Sequence, residues 1–177
     1  MAYDGYMTKA VLYEISGIVK GARIEKITQP ESDRIVLQLK GAERVKLLLD
    51  VSSQGSRVQL TKLDFENPDT PPAFCMLLRK HIQGGRITDI RQHGNERIAE
   101  FDIQTVNEMG YSVNKCLIVE TMGKYSNIIL IDAQSRKVID SLKRISIDMS
   151  RVRQILPGIT YEYPPAANLA NSYGYAP

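Results

Sequence analysis

The spacing of apolar and polar positions changes period along the chain, and each change marks a new element. Residues 4–19 follow a helical spacing. Asp4 is placed to cap the first turn, and Met7, Ala10, Val11 and Ile15 fall on one face with Tyr6 and Tyr13 in a stripe beside it. Gly17 and Gly21 end that helix. From Ala22 to Thr61 the period becomes two: ARIEKITQ, RIVLQLK, RVKLLLDV and RVQL alternate or run apolar between the turn signals QPESD, KGAE and SSQGS. They read as antiparallel strands joined by short loops. The unbroken LLLD at 47–50 predicts a strand covered on both faces.

PPAFCMLLRKHIQGG at 71–85 is the clearest helical stretch. Asp69 or Thr70 is placed to cap it, Pro71 suits its first turn, and Gly84-Gly85 supplies a left-handed exit. Phe74, Leu77, Leu78 and His81 share one face, flanked by Cys75 and Ile82, while Met76, Arg79, Lys80 and Gln83 make an outward, cationic edge. RITDIRQ, RIAEFDIQTV, SVNKCLIVE, NIILID and KVIDSLKRI follow as strands, with NEMG and DAQS as turns. A short helix is predicted over SRVRQIL. Strands grouped in runs, with two sizeable helices, argue an α+β fold: an antiparallel β-sandwich or barrel with flanking helices. The folded domain is expected to span 1–165, and the low-charge segment 166–177, rich in Ala, Asn and Tyr, reads as a linker or appended tail.

Composition narrows the classes. A chain of 177 residues with 43% hydrophobic content is long enough for one domain with a real core. A net charge of +3 permits an anionic partner without requiring one. Cys75 and Cys116 stand apart from each other and from His81 and His93, so no metal site and no cofactor is expected, and both thiols read as reduced core residues. The start MAYDGYMTK lacks a signal-peptide pattern, and no apolar run approaches the ~20 residues of a membrane span. A cytoplasmic protein without a membrane partner is expected.

Three stretches carry candidate chemistry. Gly94-Asn95 favours a tight turn that points Glu96 and Arg97 outward, where a guanidinium fork suits phosphate oxygens or a base edge and a neighbouring carboxylate orients it. A plain solvated turn has the same residues. ETMGKYSN at 120–127 is longer than a hairpin needs. Gly123 allows a close backbone approach, Lys124 adds charge, and Ser126 and Asn127 are compact donors, which suits an anion-clamping loop or merely a decorated hairpin. Lys143, Arg144, Arg151 and Arg153 suit a phosphate track or a solvated face. No nucleophile triad, zinc motif or nucleotide fingerprint is present, so no catalysis is expected. The pairs Asp64/Glu66 and Glu100/Asp102 alternate within strands and read as outward-facing.

Taken together, MAYDGYMTKAVLYEI, ARIEKITQPESD, ENPDTPPAFCMLLRKHIQGGRI, the Glu-Arg after a glycine turn, VETMGKYSNIILID and SRVRQILPGITYEYPP resemble the N-terminal domain of the NFACT family. Its bacterial branch is known as RqcH or fibronectin-binding protein A-like, and its eukaryotic branch as NEMF. The resemblance runs from residue 1 to about 165. It implies ribosome-associated quality control: capture of tRNA (alanine tRNA in bacteria) on obstructed large ribosomal subunits, and support of C-terminal alanine tailing. The family's acid–Arg pair, usually Asp-Arg, corresponds to Glu96 and Arg97, with a longer acidic arm here. Its E-[IVT]-M-G-[RK]-x-S-N loop corresponds to Glu120, Thr121, Met122, Gly123, Lys124, Ser126 and Asn127, and Arg151 and Arg153 are expected to add phosphate contacts. The implied fold is that of the N-terminal domain of formamidopyrimidine-DNA glycosylases, whose Pro-Glu start is replaced by Ala2-Tyr3, so imine chemistry is not expected. The family's helix-hairpin-helix, coiled-coil and second RNA-associated domains are expected to lie outside this stretch. A fibronectin-binding adhesin and an inactive glycosylase-like DNA-binding domain are the other readings.

Overall fold

The computed structural model describes residues 4–165. Ala2-Tyr3 and the segment 166–177 lie outside the described residues.

The first helix, α1 (Gly5–Val19), starts where expected: the Asp4 carboxylate accepts from the Met7 amide at 3.0 Å. Its inner face is Thr8, Leu12, Ile15 and Val19, whereas Met7 and Ala10 are exposed. Thr8 goes inside because its hydroxyl donates to the Asp4 carbonyl at 2.9 Å, leaving no bare polar group. Tyr6 and Tyr13 stay 86% and 85% exposed.

Four strands follow, β1 (Arg23–Glu31), β2 (Arg34–Lys40), β3 (Arg44–Asp50) and β4 (Arg57–Thr61). Leu47, Leu48, Leu49 and Asp50 are all buried, as the apolar run predicts. The second helix, α2 (Ala73–Ile82), begins at Pro72 without a side-chain cap. Asp69 and Thr70 therefore do not cap it; the two prolines separate them from the first turn. Its buried face is Phe74, Cys75, Leu78 and Ile82, with Leu77 and His81 half-buried. Arg79 is not a free edge residue: its Nε donates to the Ile27 carbonyl at 2.8 Å.

Then come β5 (Arg86–Gln92), β6 (Ile98–Val106), β7 (Ser112–Glu120), β8 (Asn127–Asp132) and β9 (Val138–Ser141). Among the described residues the nine strands make one antiparallel sheet in the order β4-β3-β2-β1-β5-β6-β7-β8-β9. The β1–β5 junction is short, with the register pair Arg23↔Arg86 and the bonds Ile24 N–H to Gly85 O (2.8 Å) and Ile87 N–H to Ala22 O (2.9 Å). The two halves of the sheet meet in one core, where Leu37, Leu47 and Leu49 join Phe101, Leu117, Val119 and Leu130. The helices seal it, α1 against β4, β5 and β6, and α2 against β1, β6 and β9. The α+β class is as expected.

A second, smaller core lies on the other face of β6–β8. There Ile98, Cys116, Ile118, Ile129 and Ile131 are covered by Ile155 and Tyr161 from the C-terminal segment. That segment is not helical over 150–156. It bends at 151–152, bridges Ile145 to Ile155, and buries Arg153 and Ile155 two residues apart, a spacing a helix would place on different sides. No helix among the described residues is long and apolar enough to cross a membrane.

Candidate nucleic-acid interface

The loop between β5 and β6 and the loop between β7 and β8 emerge at the same end of the sheet, because antiparallel pairing sets Ile98 opposite Glu120. The first is a tight turn. The Glu96 amide donates to the His93 carbonyl at 3.0 Å, and Gly94 takes a left-handed φ of 54° that suits glycine. Glu96 and Arg97 are both half-buried, and Arg97 has an interaction of its own within the fold.

Gln92, Gly5, Tyr163 and Thr121 hold the turn. Gln92 donates through Nε2 to the carbonyls of Gly5 (2.9 Å) and Glu96 (2.8 Å), joining it to the start of α1. Gly5 lies so close that a Cβ there would come within 1.9 Å of the Asn95 oxygen. His93 stacks flat on Tyr163, ring centroids 3.5 Å apart. On the far side, the Arg97 carbonyl accepts from both the amide (2.9 Å) and the hydroxyl (3.1 Å) of Thr121. This last contact fuses the two loops into one surface.

Within the second loop a 3-10 turn, Gly123–Tyr125, presents Lys124 to solvent, its ammonium 5.3 Å from the Tyr125 ring. Gly123 takes a left-handed φ of 59°, which favours glycine, and a Cβ there would meet Ser53 O only at 3.7 Å. Met122 is half-buried.

The remaining candidates turn inward. Glu120 is fully buried and Arg153 nearly so. The guanidinium donates to Glu120 Oε1 (2.5 Å) and Oε2 (3.0 Å), and the Tyr161 hydroxyl adds a bond to Oε2 at 2.6 Å. Ser126 receives the Met122 amide on its hydroxyl and donates to the Gly123 carbonyl. Asn127 exchanges two bonds with the Lys143 backbone. Glu120, Ser126, Asn127 and Arg153 thus shape the loop from beneath and offer a ligand no open charge. The expected phosphate track divides likewise: Arg144 pairs with Asp140, Lys143 donates to Val51 O with its pKa pushed down by burial, and Arg151 is exposed. Of the other candidates, Lys124 and Arg151 are exposed, and Glu96, Arg97, Met122 and Gly123 are half-buried.

Glu100 does not face solvent as expected, whereas Asp102 on the same strand keeps part of its side chain open. Glu100 is 3% exposed, bonded to Arg136 (3.2 Å) and the Tyr163 hydroxyl (2.6 Å), and Arg91 forks onto Asp102. The sequence reading missed Gln92, His93, Tyr161 and Tyr163. The one available signal was the alternation in TYEY, which puts two tyrosines on the same side of an extended segment.

In comparison with known proteins, a family model described as "NFACT N-terminal and middle domains" matches residues 4–177. The chain is 44% identical over 167 residues to the Bacillus subtilis protein named Rqc2 homolog RqcH, covering 94% of this chain and 29% of that one. It is 42% identical over 174 residues to the Streptococcus suis protein of the same name, covering 98% and 32%. Among solved structures, the N-terminal part of the fibronectin/fibrinogen-binding protein from Streptococcus suis superposes with a TM-score of 0.89 at 43% identity, covering 94% of this chain and 62% of that one. The chain spans 29–32% of the length of these two curated relatives.

Proposed function

The chain belongs to the NFACT family, and from that membership we propose that it is a non-catalytic tRNA-contacting module of a ribosome-associated quality-control factor. In this reading the module captures tRNA on obstructed large ribosomal subunits and supports C-terminal alanine tailing. The observation that carries it is the double hydrogen bond from Thr121 to the Arg97 carbonyl. It makes one preorganised surface from the acid–arginine turn and the glycine–lysine loop. Preorganisation lowers the ordering cost of binding, and a guanidinium beside a carboxylate suits a phosphate or a splayed base of single-stranded RNA. Lys124 adds a sequence-blind phosphate contact beside the turn, and the exposed Arg151 another.

The test is tRNA affinity of the intact chain with and without Arg97→Ala. A loss of about 1–3 kcal/mol supports the reading, as for one bidentate contact; unchanged affinity contradicts it. The alternative, contact with fibronectin, is favoured by the name of the Streptococcus suis structure. A fibronectin pull-down at physiological salt separates the two.

A further inference from the structure

A row of four cations crosses the sheet at the opposite end of β5. The register places Arg86 opposite Arg23, Arg23 opposite Lys40, and Lys40 opposite Arg44. Residues directly opposite one another project from the same face, and all four are exposed. Adjacent strands lie about 4.8 Å apart, so the row runs about 14 Å. Arg23, Lys40 and Arg86 line a cleft of about 850 Å³ together with Lys20, Glu25 and Glu43.

Like charges directly opposite each other destabilise a sheet, so the fold itself does not call for this row. Its acidic neighbours neutralise it only in part. Glu25 is taken by Arg44 at 3.0 Å, Lys20 faces Asp89 at 3.6 Å, and Arg86 donates to the neutral Gly21 carbonyl at 2.7 Å. Arg23 and Lys40 form no ion pair among the described residues, although Glu25 and Glu43 share the cleft with them and with Arg86. Glu25, held by Arg44 and by the fields of Lys40 and Arg23, has its pKa lowered.

We propose that Arg86, Arg23, Lys40 and Arg44 form a second RNA contact, a track for a phosphodiester backbone lying across β5, β1, β2 and β3. It reads charge, not sequence, because strand-end cations in a shallow cleft meet phosphates and reach no base edge. The track is separate from the Glu96–Arg97 turn. The two are divided by the length of β5, about 20 Å at 3.4 Å per residue, so one RNA can rest on both or each can hold a different strand. That the polyanion is RNA rests on the ribosomal reading above.

The probe is an oligouridylate of about 20 nucleotides, unstructured and without the features of tRNA. Binding to the intact chain is measured against salt for R23Q/K40Q, for E25Q and, alongside, for R97A. Loss of two phosphate contacts lowers the salt slope by about 1.4 and weakens binding roughly tenfold at low salt. E25Q removes a carboxylate, frees Arg44 and tightens binding, which decides the matter even if the double variant folds poorly. The track is overturned if R23Q/K40Q folds and keeps its affinity and slope, if E25Q does not tighten binding, if no oligouridylate binding is seen at low salt, or if phosphatidylserine vesicles bind and the RNA does not. R97A losing tRNA while R23Q/K40Q retains oligouridylate overturns the track alone; the reverse pattern overturns the turn alone.

Discussion

The carbonyl of Arg97 accepts two hydrogen bonds from Thr121, one from its amide at 2.9 Å and one from its hydroxyl at 3.1 Å. A side chain that is 2% exposed thereby fixes the backbone beneath the proposed tRNA-contacting arginine. Thr121→Val keeps the shape and removes the hydroxyl bond. Stability is expected to fall by about 0.5–1.5 kcal/mol, read by urea unfolding, and tRNA affinity to fall with it as the turn loosens.

The opposite face of the turn rests on Gly5. A methyl group there would overlap the Asn95 carbonyl at 1.9 Å, so Gly5→Ala must push the turn or the helix start away. A loss of about 1–3 kcal/mol is expected, with weaker tRNA binding. Gly17→Ala, twelve residues along the same helix, meets nothing within 4 Å and is expected to raise thermal stability by up to about 1 kcal/mol. Thermal unfolding of the pair checks both signs.

Beneath the second loop, Arg153→Met would leave the Glu120 carboxylate fully buried, holding the Tyr161 hydroxyl but without its guanidinium. Breaking such a pair costs about 3–5 kcal/mol, whereas Glu120→Met with Arg153→Met recovers much of that loss, because no unpaired charge remains. Denaturant midpoints of the single and double variants measure the difference.

How far the sequence reaches is clear from these residues. The period-two stretches and their turn signals place the strands, and Gly94-Asn95 marks the turn that carries Glu96 and Arg97, since both depend on local backbone chemistry. Long-range burial is another matter. Glu100 alternates like an outward residue and is one on its strand, until Tyr163, 63 positions later, closes over it. Arg153 reads as one of a basic cluster, yet its partner lies 33 residues earlier. Nothing within a strand reveals that the C-terminal segment will cover its outer face. The inner face of α1 departs from the apolar pattern for a smaller reason: Thr8, able to satisfy its own hydroxyl, looks polar in a pattern but buries like an apolar residue.

Acid sensitivity follows from Asp132. Amide hydrogen bonds from Ser135 and Gln134, with the Ser135 hydroxyl, hold its carboxyl below the usual carboxylate range despite partial burial. A depressed folded-state pKa contributes stability that is present above the unfolded-state value of about 3.9 and is lost as the pH falls through the folded value. Unfolding free energy measured from pH 7 to pH 2 is expected to decline on the acid side, and less steeply in Asp132→Asn. Equal slopes would remove this assignment.

The most direct test of the account is crosslinking in cells of the protein carrying this chain, with and without Arg97→Ala, followed by sequencing of the bound RNA. Enrichment of tRNA together with large-subunit RNA, with the tRNA share falling in the Arg97→Ala variant, is the predicted result. An RNA profile without tRNA, or one that the substitution leaves unaltered, would contradict it.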